Sequence, residues 1–330
     1  MHLPPFKYAA PKTLAKAIAA QTTSGKFLAG GTDLFVSLKE KIAVPDTLVD
    51  LNGIARLFGI KQDRKTKEMR VGALTTLTQL MEHPLIQEHF PIIAQSISLV
   101  STFQLRNMGT LGGNLCLDTR CSYYNQPSFL KMRWAPCLKM GGKVCHVIKG
   151  KKICHAVYSG DMANLLIALG AKVKLTGSRG MREIKLKRFF TGSGIQPNIL
   201  RYNEILTEVC LPPLPEYSGV SYRKLRLRDT IDFPLLGVAV FIQLEGKNGK
   251  CRDVRLVLGA VGPAPVVVET APTLMRGKRI TPKLIETVSN SARKLAHPVD
   301  NMASSPGYRR QMIPLFIKNA FDEALERIKH

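Results

Sequence analysis

Acidic residues are scarce in this 330-residue chain: 24 Asp and Glu face 48 Lys and Arg, which gives a formal net charge of +24 at pH 7. Long apolar runs are missing too. The longest, at 233–244, is interrupted by Pro234 and Gly237, and a membrane-spanning helix needs about 20 predominantly apolar residues. The sequence therefore predicts no membrane span.

The first residues show neither an apolar signal-peptide core nor a twin arginine, so we expect a cytoplasmic protein. Cytoplasmic thiols stay reduced, and the seven cysteines are an odd number, which argues against a disulfide framework. A hydrophobic content of 45% with 22% charged residues is typical of a globular chain, and the length suffices for two domains.

The positive charge raises the question of a nucleic-acid partner. The basic residues are spread along the chain, without zinc-finger spacing, a recognition-helix pattern or a basic stripe interleaved with aromatic residues. We therefore expect no nucleic-acid binding. A basic surface also favours encounter with an acidic protein, such as an acidic electron carrier. The alternative explanation of the positive charge is that the proteins of the source cell are generally basic, in which case the charge indicates no particular partner.

Hydrophobic periodicity predicts an α+β fold in two domains. Strands are expected at 27–29, 47–51 and 69–74, with a helix capped by Thr75 and another at 91–100. Further on, a helix is expected at 165–169 and a strand at 171–175. A proline-rich joint at 211–216 ends the first domain. We predict a domain over 1–214, made of units at about 1–55 and 56–214, and a second over 215–330.

The second domain has the pattern of an antiparallel sheet covered by helices on one side. Strands are expected at 221–226, 237–244 and 252–260, the last two joined by a hairpin turn. Amphipathic helices are expected at 282–294 and 308–329.

Two glycine-rich loops are candidate anion sites. The sequence AGGTD at 29–33 lies between a predicted strand and a predicted helix, and GTLGGN occupies 109–114. Glycines free the backbone and let N–H groups converge on a phosphate, but each pattern alone is also typical of a tight turn. Neither a dinucleotide-binding fingerprint nor a P-loop is present.

Five of the seven cysteines lie between Cys116 and Cys154. Their spacing matches neither a zinc ribbon nor a bacterial ferredoxin. Spacing alone therefore leaves zinc, an iron–sulfur cluster and free thiols open.

Four segments, FLAGGTDL, LRNMGTLGGNL, YSGDMANLLIALGAKVKL and YRKLRLRDTIDFPLLGVAV, resemble in order and over nearly the whole chain the FAD-binding subunits of the molybdenum hydroxylases. That family includes xanthine dehydrogenase and carbon monoxide dehydrogenase. The resemblance implies a two-part FAD-binding domain followed by a C-terminal flavoprotein domain. It also implies that both glycine loops hold the FAD pyrophosphate, through Leu28, Ala29, Gly30, Gly31, Thr32, Asp33, Leu34, Thr110, Gly112, Gly113 and Asn114.

Two further residues are implied in flavin binding. Asp161 would contact the sugar or ring region, and Lys224 would approach the isoalloxazine. Without the resemblance, a helix N-cap for Asp161 and a surface charge for Lys224 are the simpler interpretations.

The cysteine-rich insertion at about 116–157 resembles that in the flavin subunit of 4-hydroxybenzoyl-CoA reductase. This implies a [4Fe–4S] cluster held by Cys121, Cys137, Cys145 and Cys154. Cys116 is expected near the flavin, and Cys210 and Cys251 in structural positions. His146 and His155 are expected to form hydrogen bonds near the cluster or to face solvent, with cluster ligation as the less favoured alternative. Tyr123, Tyr124 and Trp134 would form an apolar cover over the cluster.

The resemblance implies an electron-transfer subunit without an active site for an organic substrate. Its expected partners are a molybdenum-cofactor subunit and a [2Fe–2S] subunit, in a dimer of heterotrimers, with ferredoxin or a similar acidic electron carrier as donor. The alternative is the flavin subunit of an aldehyde or N-heterocycle dehydrogenase of the same family. A stand-alone flavin oxidase is disfavoured because no acid–base pair converges near the flavin motifs.

Overall fold

The computed structural model describes residues 2–150, 152–300 and 303–329. The N-terminal unit has a parallel three-stranded sheet of order β1-β3-β2. Leu14 and Ala17 face its core, and Thr13 caps the first helix by accepting a hydrogen bond from the Lys16 N–H. The elements are β1 (Lys7–Ala9), α1 (Leu14–Ala20), β2 (Lys26–Leu28), α2 (Leu34–Lys39) and β3 (Thr47–Asp50).

The second unit has an antiparallel five-stranded sheet of order β4-β5-β8-β6-β7, packed against a group of short helices. Its strands are β4 (Ile60–Gln62), β5 (Met69–Gly72), β6 (Lys172–Gly177), β7 (Gly180–Lys185) and β8 (Ile205–Leu211). Its helices are α3 (Leu77–Glu82), α4 (Pro84–His89), α5 (Pro91–Ser98), α6 (Phe103–Met108), α7 (Leu111–Leu115), α8 (Ser128–Lys131) and α9 (Asp161–Ala168).

The C-terminal domain confirms the predicted antiparallel sheet, of order β12-β11-β10-β9. Val238, Val240 and Ile242 pack against its helices, whereas Ala239 and Phe241 on the opposite face join the core of the second unit. The helices of this domain thus cover one face of the sheet, as predicted, and the second unit buries the other. The elements are β9 (Ser218–Leu225), β10 (Leu236–Leu244), β11 (Cys251–Gly259), β12 (Val266–Val267), α10 (Thr270–Met275), α11 (Pro282–Leu295) and α12 (Pro306–Lys329).

Several predicted boundaries were wrong. The residue that caps α3 is Thr76, which accepts from the Gln79 N–H in a capping box, while Thr75 is buried and hydrogen-bonded to Gly59. The predicted glycine-rich loop at 109–114 is mostly helical, because α6 and α7 leave only Gly109 and Thr110 between them. The helix predicted at 165–169 begins earlier, at Asp161, with Gly160 at its N-cap.

Residues 116–157, which we call the cysteine segment, contain little regular structure. Their described residues, 116–150 and 152–157, hold α8 and one 3-10 turn at Leu138–Met140. Isolated bridges join Arg120 to Val157 and Cys137 to Val144. Among the helices described, none is long and apolar enough to cross a membrane.

Candidate cofactor site

A cleft of about 700 Å³ opens between the two N-terminal units, the cysteine segment and a loop of the C-terminal domain. That volume falls within the range of about 300–1,000 Å³ typical of ligand pockets. Three of the predicted cofactor residues, Leu28, Gly112 and Lys224, do not line it. Those that line it are Ala29, Gly30, Gly31, Thr32, Asp33, Leu34, Thr110, Gly113, Asn114 and Asp161.

The first glycine turn runs close against the backbone at the end of α6. A Cβ on Gly30 would lie 1.8 Å from the Met108 carbonyl oxygen. Gly31 has φ +72°, a left-handed conformation that favours glycine, and its carbonyl accepts from the Phe35 N–H at the start of α2. The turn therefore depends on both glycines, and it presents bare backbone to the cleft.

The second glycine segment forms the first turn of α7. Thr110 caps this helix by accepting a hydrogen bond from the Gly113 N–H at 3.0 Å. Gly112 faces inward, where an added Cβ would lie 2.7 Å from the Ala73 Cβ. Gly112 thus serves the packing of α7, whereas Gly113 borders the cleft.

Asp161 lies at the back of the cleft and is paired with Lys224. The Lys224 Nζ is 2.9 Å from Asp161 Oδ1, and the Tyr222 hydroxyl donates to the same oxygen at 3.1 Å. Burial raises the pKa of Asp161, while Lys224 and Tyr222 act in the opposite direction. The Lys224 ammonium also donates to the carbonyls of Leu99 and Asp232 at 2.9 and 2.8 Å. Lys224 is therefore a buried, fully partnered cation and not a surface charge.

Arg120 joins the cysteine segment to the first glycine turn. Its Nη1 is 2.6 Å from Asp33 Oδ1, and its guanidinium lies 4.6 Å from the centre of the Phe233 ring. Burial raises the pKa of Asp33, and Arg120 opposes that shift. Sequence reasoning missed Arg120, because its partners are far away along the chain.

Two polar atoms at the cleft wall have no hydrogen-bond partner within the part of the chain that the structure describes. They are the Ser159 hydroxyl oxygen and the Arg106 Nε, and both are buried. Buried polar groups are nearly always satisfied in folded proteins, so a polar ligand or water in the cleft would have to satisfy these atoms. Bare glycine backbone, two arginines and these groups fit a pyrophosphate-containing cofactor such as FAD.

The four cysteines predicted as cluster ligands line one small cavity of about 20 Å³ beside the cleft. Within residues 2–150, 152–300 and 303–329, however, no group of three or more His, Cys, Asp or Glu side chains has a metal-holding arrangement. Burial raises the pKa of Cys121 and of Cys154. The donor set is thus gathered in one place but is not in ligating geometry.

The other cysteines lie apart from that donor set, whereas Tyr123, Tyr124 and His146 line the same small cavity. Cys116 lines the large cleft, and burial raises its pKa to about 12. Cys210 and Cys251 are buried on β8 and β11. His146 contacts the Ala135 carbonyl oxygen at 2.7 Å and stacks on Tyr123.

Family models match both domains. Residues 4–214 match the FAD binding domain in molybdopterin dehydrogenase, and residues 220–324 match the CO dehydrogenase flavoprotein C-terminal domain. The carbon monoxide dehydrogenase medium chain of Hydrogenophaga pseudoflava is 27% identical, with 98% of each chain covered. A structure of that organism's carbon monoxide dehydrogenase has a TM-score of 0.82, with 26% identity and 99% of each chain covered.

Two further relatives have names that refer to other substrates. The aldehyde oxidoreductase FAD-binding subunit of Escherichia coli is 33% identical, over 81% of this chain and 84% of its own. The nicotinate dehydrogenase FAD-subunit of Eubacterium barkeri is 25% identical, over 98% of this chain and 97% of its own.

Proposed function

The chain belongs to the FAD-binding subunits of the molybdenum hydroxylase family, and we propose that it serves an aldehyde or N-heterocycle dehydrogenase complex. The relatives described above are named for carbon monoxide, aldehydes and nicotinate. They favour this assignment over the 4-hydroxybenzoyl-CoA reductase that the cysteine segment first suggested.

The cleft is the observation that carries the proposed FAD binding. FAD supplies hydride and single-electron transfer when it is bound. Gly30, Gly31 and Gly113 would admit its pyrophosphate next to bare backbone. The unpartnered Ser159 hydroxyl and Arg106 Nε would receive its polar groups, and Asp161 would face a hydroxyl or imide N–H. Arg120 would hold Asp33 away from the phosphates.

Substrate chemistry is assigned to partner subunits. We expect a molybdenum-cofactor subunit to bind the organic substrate and a [2Fe–2S] subunit to pass electrons to or from this chain. A dimer of such heterotrimers is the assembly that the family resemblance implies. In this arrangement the residues of the cleft bind and orient the flavin and exclude water from it.

A [4Fe–4S] cluster remains part of the proposal. Cysteine thiolates are the usual ligands of such clusters, and Cys121, Cys137, Cys145 and Cys154 share one cavity. The thiols therefore fit the cluster in chemistry and number, whereas the described side chains show no metal-holding arrangement.

An acidic electron carrier such as ferredoxin is the proposed external partner. Between Asp118 and Asp161 the sequence contains no Asp or Glu. Exposed basic residues in that stretch include Arg133, Lys143, Lys149 and Lys152. Reversing these four charges to Glu should slow electron exchange with an acidic carrier and weaken its dependence on salt. An unchanged rate would remove the carrier from the proposal.

The substrate class is tested on the assembled complex under anaerobic conditions. An aldehyde or an N-heterocycle should bleach the absorbance of the oxidised flavin. If neither compound does so, while 4-hydroxybenzoyl-CoA re-oxidises a chemically reduced complex, the chain serves a reductase instead.

A further inference from the structure

The cysteine segment presents apolar side chains to solvent on one side of α8. Phe129 and Met132 are three residues apart, which makes them neighbours on a helix surface, and Trp134 follows the end of the helix. These three residues are 63%, 82% and 54% exposed, whereas Leu130 and Lys131 between them are half-buried. Exposed apolar residues that occur singly need no explanation, but a group of them marks an interaction site. We call Phe129, Met132 and Trp134 the apolar patch.

Trp134 is held in place by other aromatic rings. Its ring centre lies 6.1 Å from that of Tyr123, edge to face, and 5.8 Å from that of His146. Tyr123 and His146 stack on each other, and His146 Nε2 lies 2.7 Å from the Ala135 carbonyl oxygen. A rigid, partly exposed tryptophan loses little conformational entropy when a partner covers it, and tryptophan is enriched among the residues that dominate binding energy. Trp134 is therefore suited to be the centre of an interface.

Positive charge accompanies the apolar patch. Arg133 lies within it, and the turn that contains Lys143 packs against Pro136, two residues after the patch. The sequence between Asp118 and Asp161 contains no Asp or Glu. An apolar centre with a polar or charged rim is the usual anatomy of a protein interface. A second copy of this chain would bring two positive rims together, so the patch fits a partner whose own surface is acidic.

The size of the apolar patch favours a transient partner. Permanent interfaces between subunits bury about 2,000 Å² or more, whereas electron-transfer encounters bury less than about 1,200 Å². The patch comprises three side chains on and beside a helix of four residues, which is closer to the second class. A helix this short also lacks the long apolar face with which interfacial helices enter a lipid surface. An acidic protein that binds briefly is therefore the occupant that the surface fits.

The proposed flavin site lies behind this surface. Tyr123 and His146, which contact Trp134, line the small cavity formed by the four cysteines, here called the cysteine cavity. Tyr124, the next residue along the chain, lines both the cysteine cavity and the large cleft. A carrier docked on the apolar patch would thus face the cleft across these aromatic side chains.

We propose that the apolar patch, with Trp134 at its centre, is the docking surface of an acidic protein electron carrier. The inference deepens the proposed function and rests on it, because such a carrier exchanges electrons with FAD in the cleft. The basic residues speed the encounter through long-range attraction, which salt screens. Trp134 slows the dissociation of the docked carrier through apolar contact, which involves no charge.

Trp134 is the only tryptophan in the sequence, so its fluorescence reports on the apolar patch alone. The test uses the full chain with FAD bound and a tryptophan-free ferredoxin as the acidic carrier. Ferredoxin should reduce the quenching of Trp134 by acrylamide severalfold. Vesicles of phosphatidylcholine and phosphatidylserine should leave the quenching unchanged. Protection by the vesicles without protection by ferredoxin would overturn the inference.

Substitution separates the apolar contact from the charges. Trp134→Ala should raise the dissociation constant for ferredoxin about tenfold at low and at high salt, and leave its salt dependence unchanged. Tyr202→Ala is the matched control and should bind ferredoxin like the wild type, because Tyr202 is also 54% exposed but lies outside the cysteine segment. Flavin reduction by dithionite should be equal in all three proteins, which checks that the cofactor site is intact. If Trp134→Ala loses FAD, Met132→Gln decides the question: a rise in the same constant supports the inference, and an unchanged constant overturns it.

Unchanged affinity of Trp134→Ala, in a chain whose wild type binds both FAD and ferredoxin, would overturn the inference and leave the proposed carrier in place. Wild-type protein that holds FAD but fails to bind ferredoxin would refute the carrier and the inference together. A wild-type chain without FAD would refute the proposed function first, and the inference with it. In the assembled complex, oxidative footprinting read by mass spectrometry should find Trp134 accessible before ferredoxin is added. Protection at that stage would assign the apolar patch to a neighbouring subunit and overturn the inference.

Discussion

Asp161 and Lys224 form an ion pair at the back of the cleft, with 2.9 Å between Oδ1 and Nζ and side chains that are 5% and 0% exposed. Asp161 begins α9, and Lys224 lies on β9 of the C-terminal sheet. The pair therefore joins the two parts of the fold beneath the proposed flavin site. Removing one partner of a buried pair leaves an uncompensated charge in the interior, which is strongly destabilising.

Lys224→Met should lower the free energy of unfolding by about 3–5 kcal/mol at neutral pH, because Asp161 then remains buried without its cation. Urea unfolding measures the change. Combining this substitution with Asp161→Asn removes the stranded charge and should recover part of the loss. A double variant as unstable as Lys224→Met would show that the ion pair is not the cause.

The stability deficit of Lys224→Met should shrink as the pH falls. Burial already raises the pKa of Asp161 above its ordinary value, and loss of the cation raises it further. The Asp161 carboxyl therefore binds a proton more tightly in the folded variant than in the unfolded chain, so its contribution to stability is fully present at low pH and is lost as the pH rises through the folded pKa. Urea unfolding across acidic and neutral pH checks this, and a deficit independent of pH would contradict it.

Arg120→Met should weaken FAD binding about tenfold, equivalent to about 1.4 kcal/mol. The substitution leaves the Asp33 carboxylate without its partner beside the expected phosphate position. Fluorescence titration of the flavin-free protein with FAD measures the affinity. Arg223→Met is the matched control, because Arg223 pairs with Glu323 in a more exposed position away from the cleft lining. Equal affinities in both variants would exclude Asp33 and Arg120 from the site.

Gly30→Ala should abolish FAD binding or reduce it severely. The added methyl group would overlap the Met108 carbonyl oxygen, so the glycine turn would have to move away from α6. The FAD content of the purified protein is the readout. Gly307→Ala, in the first turn of α12, meets no atom within 4 Å and should leave the FAD content unchanged.

Serine substitutions of the proposed cluster ligands should remove iron and acid-labile sulfide while FAD is retained. The four variants are Cys121→Ser, Cys137→Ser, Cys145→Ser and Cys154→Ser. Cys210→Ser should keep both cofactors, because Cys210 is buried on β8 away from the cysteine cavity. Iron analysis under anaerobic conditions tests this. Wild-type iron in the four variants would place the metal elsewhere.

Local patterns were enough to predict three strands of the C-terminal sheet and the helices α11 and α12, because strand and helix periodicities show in residues close together along the chain. The short elements β12 and α10 were missed. The cap of α3 shows where such patterns fail. Thr75 and Thr76 have the same cap preference, and a tertiary contact of Thr75 with Gly59 decides between them. The second buried face of the C-terminal sheet likewise depends on packing against a distant part of the chain.

The candidate site likewise has features that local sequence patterns predict and features that they do not. Its glycine turns could be predicted because glycine requirements are local. The burial of Lys224 could not be predicted from the sequence. Its neighbour Arg223, in the same basic run, is exposed, and only the pairing of β9 with β10 places the two side chains on opposite faces of the sheet. Arg120 pairs with Asp33, and the Ser159 hydroxyl is buried at the wall of the cleft. Both arrangements arise only when distant parts of the chain fold together.

The most direct test of the central claim is the FAD content of the wild-type chain purified without oxygen. The account predicts about one FAD per chain, released by denaturation and identified by chromatography. Flavin-free protein that also fails to take up added FAD would contradict it.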